Sequence, residues 1–254
     1  MLRPGALGDT LLAVPALRAL RRAFAPLRLA AHAPTAHLLA RLGEVDHGMA
    51  FDDPSLAWIF GDCASEEPIV AWMRAELRCA RLVAPSRPPD ATHCARYLLG
   101  TLGPLGIDLT WDARPLEVRP VASDEILIHP GSGSAAKNWP AERFAAVIRA
   151  LDAPVRLVVG EADVDVAAAI DARVGRRLPR LEHAPLEEVA SRLAGCRAYL
   201  GNDSGVSHLA GLCGARTIAL FGPTSPDVWR PIGPDVRVLR FEASPERVVA
   251  ALAG

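Results

Sequence analysis

Apolar residues in the second half of the chain alternate between two rhythms. Short aliphatic and β-branched runs bounded by Gly and Pro predict buried strands at 125–129, 154–159, 198–200, 217–221 and 237–241. Between them the apolar positions fall at helical spacing, predicting helices over 142–151, 164–174, 186–193, 206–212 and 245–252. Such an alternation implies an α/β domain with a parallel sheet covered by helices on both faces. Ligands in sheets of this kind gather at the carboxyl ends of the strands.

The first half carries the same signals less regularly. Leu11, Leu12, Val14, Leu17, Leu20 and Phe24 mark one face of a helix that Asp9 or Thr10 would cap, with Pro15 inside its first two turns. Strands are expected at 27–32, from 50 onward and at 81–84, and helices at 36–41, 69–79 and 93–102. Little precedes the loop holding Gly5 and Gly8, so a first strand is either missing or confined to residues 1–3. The polar, Pro-containing stretch 112–124 reads as a link between two domains, 1–118 and 119–254.

Three polar strand ends collect on the second domain. Gly201-Asn202-Asp203-Ser204-Gly205 leaves a strand and opens a helix, where unpaired N–H groups and the helix dipole favour an anion. The plainer reading is an ordinary cap. Gly131, Ser132 and Gly133 open a loop that runs to Lys137; it is not a Walker A loop, since no Lys directly follows its second glycine. Its N–H groups and ammonium suit phosphate oxygens. The third, at 160–163, ends in Asp163, which reads equally as a helix cap or as an acid for ribose hydroxyls. In the first domain Asp9 has two readings as well, an N-cap or a base projecting from a glycine loop.

Composition narrows the chemistry. The chain has 254 residues, half of them apolar, and a formal net charge of -1, with no basic stripe or tail to attract nucleic acid. Five cysteines, an odd number without a CxxC pair, read as free thiols in a reducing, cytoplasmic compartment. His32, His37, His47 and His93 are scattered, and no metal site is expected. Asp9 precedes the apolar run 11–20 and Arg21-Arg22 follow it, the reverse of a signal peptide, and no run is long enough to span a membrane. Of the 28 basic residues all but Lys137 are Arg, which singles out Lys137 as a place wanting a compact ammonium.

Three ordered blocks, GALGDTLLAVPALRALRRAF, HPGSGSAAKNWPAERF and GNDSGVSHLAGLCGARTIALFGPTSPDVW, resemble glycosyltransferase family 9, the ADP-heptose heptosyltransferases of lipopolysaccharide core synthesis. The resemblance implies a GT-B fold, two Rossmann-like domains facing across a cleft, with the terminal helix 245–253 packing back on the first. It implies an inverting, metal-independent transfer from a nucleotide sugar, ADP-heptose, to a glycan or glycolipid acceptor. No cofactor is needed, and peripheral contact with the inner membrane is expected. Asp9, flanked by Gly8 and Thr10, matches the general base. Lys137 matches the lysine on the nucleotide side of the donor. Asp203 matches the acid for sugar hydroxyls, and Ser204 and Gly205 give N–H groups to the diphosphate, with His208 one turn on. Asp163 matches the ribose acid, and His183 and Ala184 the backbone that reads the adenine edge. The first domain is shorter than the family's, so either the true start lies upstream or the acceptor domain is trimmed. Beyond Arg18, Arg21 and Arg22 it shows no basic cluster for an anionic lipid. Another nucleotide sugar with a different acceptor, or a protein that binds sugar nucleotides without turnover, are the competing readings.

Overall fold

The first three residues of the chain lie between two pairs of strands. Leu2 N donates to Val70 O (2.8 Å), Trp72 N to Leu2 O (3.0 Å), Ala30 N to Met1 O (2.9 Å) and Arg3 N to Ala30 O (2.9 Å). The computed structural model describes residues 1–61, 68–74, 77–78 and 80–253, which form two units, Met1–Ala113 and Arg114–Gly254.

In the first unit come α1 (Leu7–Leu11), α2 (Val14–Ala23), β1 (Arg28–Ala31), α3 (Ala33–Arg41), β2 (His47–Ala50), a 3-10 helix (Pro54–Phe60), β3 (Ile69–Trp72), β4 (Ala80–Ala84) and α4 (Cys94–Gly100). β1 pairs with β2 and β3 with β4, both parallel, and Leu2 bridges β1 to β3. The first strand therefore exists, is very short, and sits where the strand order reverses. Leu2, Ala30, Ile69, Ala71 and Leu77 form a core that Leu56 and Ile59 of the 3-10 helix cover.

A helix over 69–79 is not what forms: Ile69–Trp72 is a strand, and residues 75, 76 and 79 lie outside those described. All four residues of β3 are buried. A strand covered on both faces reads as a continuous apolar run, which periodicity cannot separate from a buried helix. A cavity of about 400 Å³, lined by Leu20, Phe24, Leu27 and Val70 among others, opens at the amino ends of these strands.

The second unit holds β5 (Ile126–His129), α5 (Ala141–Ala150), β6 (Val155–Val159), α6 (Val164–Val174), β7 (Arg180–Glu182), α7 (Leu186–Gly195), β8 (Ala198–Asn202), α8 (Gly205–Leu212), β9 (Thr217–Phe221), α9 (Pro226–Trp229), β10 (Val236–Arg240) and α10 (Pro245–Ala253). The strands run in the order β10-β9-β8-β5-β6-β7, every pair parallel. Order reverses at β5 and β8, where Ile128 lies opposite Leu200. Every residue of β5, β8 and β9 is buried, so these strands read as unbroken apolar runs. β7 escapes the pattern because it is a three-residue edge strand with one buried apolar residue, Leu181.

The core joins Ile126, Ile128, Leu157, Leu200, Ile218 and Leu220 to Trp139 and Phe144, whose rings meet edge to face at 5.2 Å. Each such buried aliphatic side chain contributes roughly 1.5–3 kcal/mol over an exposed one. The terminal helix, expected to pack back on the first domain, spends Val248 and Leu252 in this core and lies along α5. Residues 112–124 carry no helix or strand. The division falls at 113/114 rather than 118/119 because Leu116 N bonds to Leu212 O, Val121 N to Ser191 O and Ser123 N to Gly195 O.

Candidate functional site

β5 and β8 are neighbours at the point where the strand order reverses, the place at the carboxyl ends where ligands bind in sheets of this kind. Asn202, the last residue of β8, is fully buried. Its Nδ2 donates to Pro130 O (2.7 Å) and Gly131 O (3.3 Å), and its Oδ1 accepts from Trp139 N (3.0 Å). One side-chain amide thus fixes both ends of the loop that carries Ser132, Gly133 and Lys137. Within that loop Ser132 Oγ donates at 2.6 Å to Ser134 O and lies 2.7 Å from Asn138 Oδ1. The sequence marks Asn202 only as a turn residue; nothing in it says that the amide reaches a loop 72 positions away.

The loops meet through charge. Lys137 Nζ lies 2.9 Å from Asp203 Oδ2, and Thr224 Oγ1 donates to the same oxygen at 2.7 Å. Asp203 is buried while the Lys137 side chain stays about a third exposed. Ser204 caps α8, its Oγ accepting from Ser207 N at 3.4 Å. His208 N reaches Ser204 O at 3.3 Å. The N–H groups of Gly205 and Val206, in the first turn of α8, have no intrahelical acceptor. Beneath the turn Ser207 Oγ donates to Asn202 O (2.5 Å) and meets Tyr199 OH (3.0 Å). His208 is buried on the next turn of α8.

Gly131 is a matter of space. A Cβ there would stand 1.6 Å from Asp163 Oδ1. Asp163 is buried, and its Oδ2 accepts from Gly160 N at 2.9 Å, so the capping role is filled. His129 Nδ1 donates to Val158 O (3.0 Å) and lies 3.7 Å from Asp163 Oδ2. At the end of β7, His183 takes φ +50 with its N–H bonded to Val159 O, a left-handed conformation uncommon outside glycine and frequent at ligand-holding positions. Ala184 follows it, half-buried.

Burial pulls the His129 pKa below its ordinary 6.5, the Asp163 charge opposing. The unfolded chain then binds the proton more tightly, so the stability that neutral His129 contributes is present above about pH 6.5 and is lost as pH drops below it. Melting temperature measured across this range is expected to decline toward acid in wild type and less steeply in His129→Gln. Equal slopes would remove His129 as the source.

In the first unit the one helix expected from Leu11 to Phe24 forms as two, α1 ending at Leu11 and α2 carrying Val14, Leu17 and Leu20. Asp9 and Thr10 lie inside α1 rather than before it, because the Asp9 carboxylate reaches back to accept from Ala6 N at 3.1 Å. Cap and exposed acid are therefore the same group: the Asp9 side chain is 34% exposed, and Arg3 Nη2 approaches its Oδ1 to 3.6 Å from a position 1% exposed. Gly5, at φ +138, leaves the room, since a Cβ there would meet Asp9 Cβ at 2.9 Å. Thr10 and Gly8 are buried, and Thr10 Oγ1 turns to Ala6 O at 3.4 Å. Arg3 is the residue that sequence reasoning passes over.

Arg18, Arg21 and Arg22 form no free basic cluster. Arg18 is buried against Glu44 (2.6 Å) and Asp112 (3.2 Å), Arg21 pairs with Asp46 (3.1 Å) and Arg22 with Asp108 (3.6 Å). Cys94, Cys196 and Cys213 are free, and burial pushes their thiols up, Cys94 to about 11 and the other two to about 12, so they stay protonated; Cys63 and Cys79 lie outside the described residues. Among the described residues no three His, Cys, Asp or Glu side chains are grouped to hold a metal, and no helix is long and apolar enough to cross a membrane.

The comparisons with known proteins agree with one another. Residues 101–251 match the sequence model of the family described as glycosyltransferase family 9 (heptosyltransferase). The chain is 31% identical over 114 residues to lipopolysaccharide heptosyltransferase 2 of Salmonella typhimurium, a stretch that covers 42% of this chain and 33%, about a third, of that relative. A glycosyltransferase family 9 structure from Veillonella parvula superposes with a TM-score of 0.83 at 17% identity, covering 99% of this chain and 94% of that one. The ADP-heptose LPS heptosyltransferase II of E. coli does so with 0.77 at 20% identity, covering 99% and 97%. At these identities the likeness carries the fold, which is GT-B.

Proposed function

The chain belongs to glycosyltransferase family 9, the heptosyltransferases, and on that premise we propose that it transfers a heptosyl group from ADP-heptose to a hydroxyl of a lipopolysaccharide-core-type glycan or glycolipid. The observation that carries this reading is the Lys137–Asp203 pair at the N-terminus of α8, beside a loop anchored at both ends by Asn202. An ammonium, two N–H groups without an intrahelical acceptor and a Gly/Ser loop suit a diphosphate, and an adjacent carboxylate suits the hydroxyls of the sugar it carries.

In this reading the diphosphate lies on Gly131, Ser132, Gly133, Lys137 and the N–H groups at the start of α8. Asp203 accepts from the sugar, with His208 near it. Asp163, His183 and Ala184 serve the nucleoside end; Asp163, already bonded to Gly160 N, has Oδ1 left for that use. Asp9 takes the proton of the acceptor hydroxyl as its oxygen attacks the anomeric carbon. The bond from that carbon to the diphosphate breaks, and ADP leaves with its charge met by Lys137 and the helix N-terminus, without a divalent ion. A single displacement of this kind inverts the anomeric centre. In this reading the reaction takes place in the cytoplasm, with the acceptor at the cytoplasmic face of the inner membrane where it is a glycolipid. The engagement of Arg18, Arg21 and Arg22 with carboxylates supports a second reading, a glycan acceptor without an anionic lipid.

The test is ADP release from ADP-heptose across a panel of core oligosaccharides with and without lipid, in buffer with and without chelator. Turnover that the chelator leaves unchanged is the expected result. ADP binding should stabilise the protein by about 2.7 kcal/mol at a hundred times its dissociation constant. Release from another nucleotide sugar but not from ADP-heptose would overturn the donor assignment, and turnover only with lipid-free glycans would favour the second reading.

A further inference from the structure

The two oxygens of Asp203 are treated differently. Oδ2 is held twice, by Lys137 Nζ at 2.9 Å and Thr224 Oγ1 at 2.7 Å. Oδ1 has no hydrogen-bond partner among the described residues. Torsion about the last bond of an aspartate is broad and nearly two-fold, so an ammonium alone does not fix the plane of the carboxylate. A hydroxyl on a fixed loop does.

That loop is fixed. Gly222 packs so closely on the Phe241 ring that a Cβ would stand 2.4 Å from its Cε2. Arg240 Nη1 donates to Thr224 O at 3.1 Å. Phe241 O in turn accepts from Trp139 Nε1 (3.0 Å) and Arg143 Nη1 (2.6 Å). The end of β10 thus ties the Thr224 loop to the segment that follows Lys137. A diphosphate would compete with Asp203 for the Lys137 ammonium, because both are anions. The Thr224 hydroxyl is a second, separate donor to Asp203, so the carboxylate keeps one hydrogen bond when Lys137 turns to the diphosphate.

We propose that Thr224 is a positioning residue: by holding Asp203 Oδ2 it presents Oδ1 as the acceptor for a hydroxyl of the donor's sugar, and so sets the preference for a sugar nucleotide over the bare nucleotide. The inference rests on the donor reading above and adds to it a residue that touches neither phosphate nor nucleoside.

Thr224→Val keeps the shape and removes the hydroxyl; Thr224→Ser restores it. Calorimetric titration of each protein with ADP and with ADP-heptose, without acceptor, separates the possibilities. The valine variant is expected to bind ADP within twofold of wild type and ADP-heptose about tenfold more weakly, as for loss of a hydrogen bond to a charged group. Serine should recover most of that loss. Should the valine protein fail to fold, Thr224→Ala against Thr224→Ser gives the same comparison. Equal weakening toward both ligands would make Thr224 a loop-structure residue, and no weakening toward either would make it dispensable; both overturn the proposal. Wild type that binds ADP but not ADP-heptose overturns the donor reading itself, and is recognised before any variant is measured.

Discussion

Asp9→Asn is expected to lower turnover with ADP-heptose by at least ~100-fold while leaving the donor KM unchanged. A positioned general base contributes typically about 10²–10⁴-fold, and the groups proposed to hold the donor all belong to the other unit. The choice of Asn matters, because the Asp9 carboxylate also accepts from Ala6 N and helps start α1. Asn retains an oxygen for that bond, so the helix start survives while the proton acceptor is lost. The substitution does leave the buried Arg3 guanidinium without its counter-charge at 3.6 Å, and melting temperature reports that cost separately. A folded Asp9→Asn protein with near-normal turnover would reduce Asp9 to a helix-starting residue. A fall in turnover that tracks a fall in folded fraction would say the same.

Asn202→Asp is the second large expectation, and it concerns stability and donor binding together. The change is nearly isosteric and leaves the acceptor for Trp139 N in place. It replaces a group that donates to Pro130 O and Gly131 O with a carboxylate oxygen facing both carbonyls in a fully buried position. Lys137 is already engaged by Asp203. An uncompensated buried charge costs about 3–5 kcal/mol, which at this chain length lowers the melting temperature on the order of 10 °C. ADP affinity should fall with it, since both ends of the Gly131 loop come free. Asn202→Ala, which loses the bonds without adding charge, is expected to fall between. Calorimetric melting and ADP titration check both. An Asn202→Asp protein as stable as wild type would mean that the amide does not donate to these carbonyls, and that the loop is held by something else.

How much of this was legible beforehand depends on the reach of each interaction. Strands β5, β6, β8 and β9 and the helices α5, α6, α7 and α8 follow from local spacing, because a strand buried in a parallel sheet is largely apolar and its neighbouring helix is amphipathic; the edge strand β10 is marked by Val236, Val238 and Leu239. The glycines, Asp9, Lys137 and the Asp203 turn follow from residue chemistry at strand ends. Locality also explains the failures. Residues 69–72 read as helix because four buried residues carry no period, and only pairing with Leu2 and β4 makes them a strand. β7 has one buried residue to announce it and exists because β6 offers an edge.

The sequence by itself determined a βα alternation, a polar rim on its strand ends and the residue types available there. The tertiary structure decided which of those atoms meet: Lys137 with an acid 66 positions on, Asn202 with carbonyls 72 and 71 positions back, Thr224 with Asp203 across two strands, Arg3 beneath Asp9. The meetings in the second unit are set by the order β9-β8-β5 and, for the Thr224 loop, by how closely Gly222 lets the Phe241 ring approach. Strand order is a property of long-range pairing, and no window of neighbouring residues contains it.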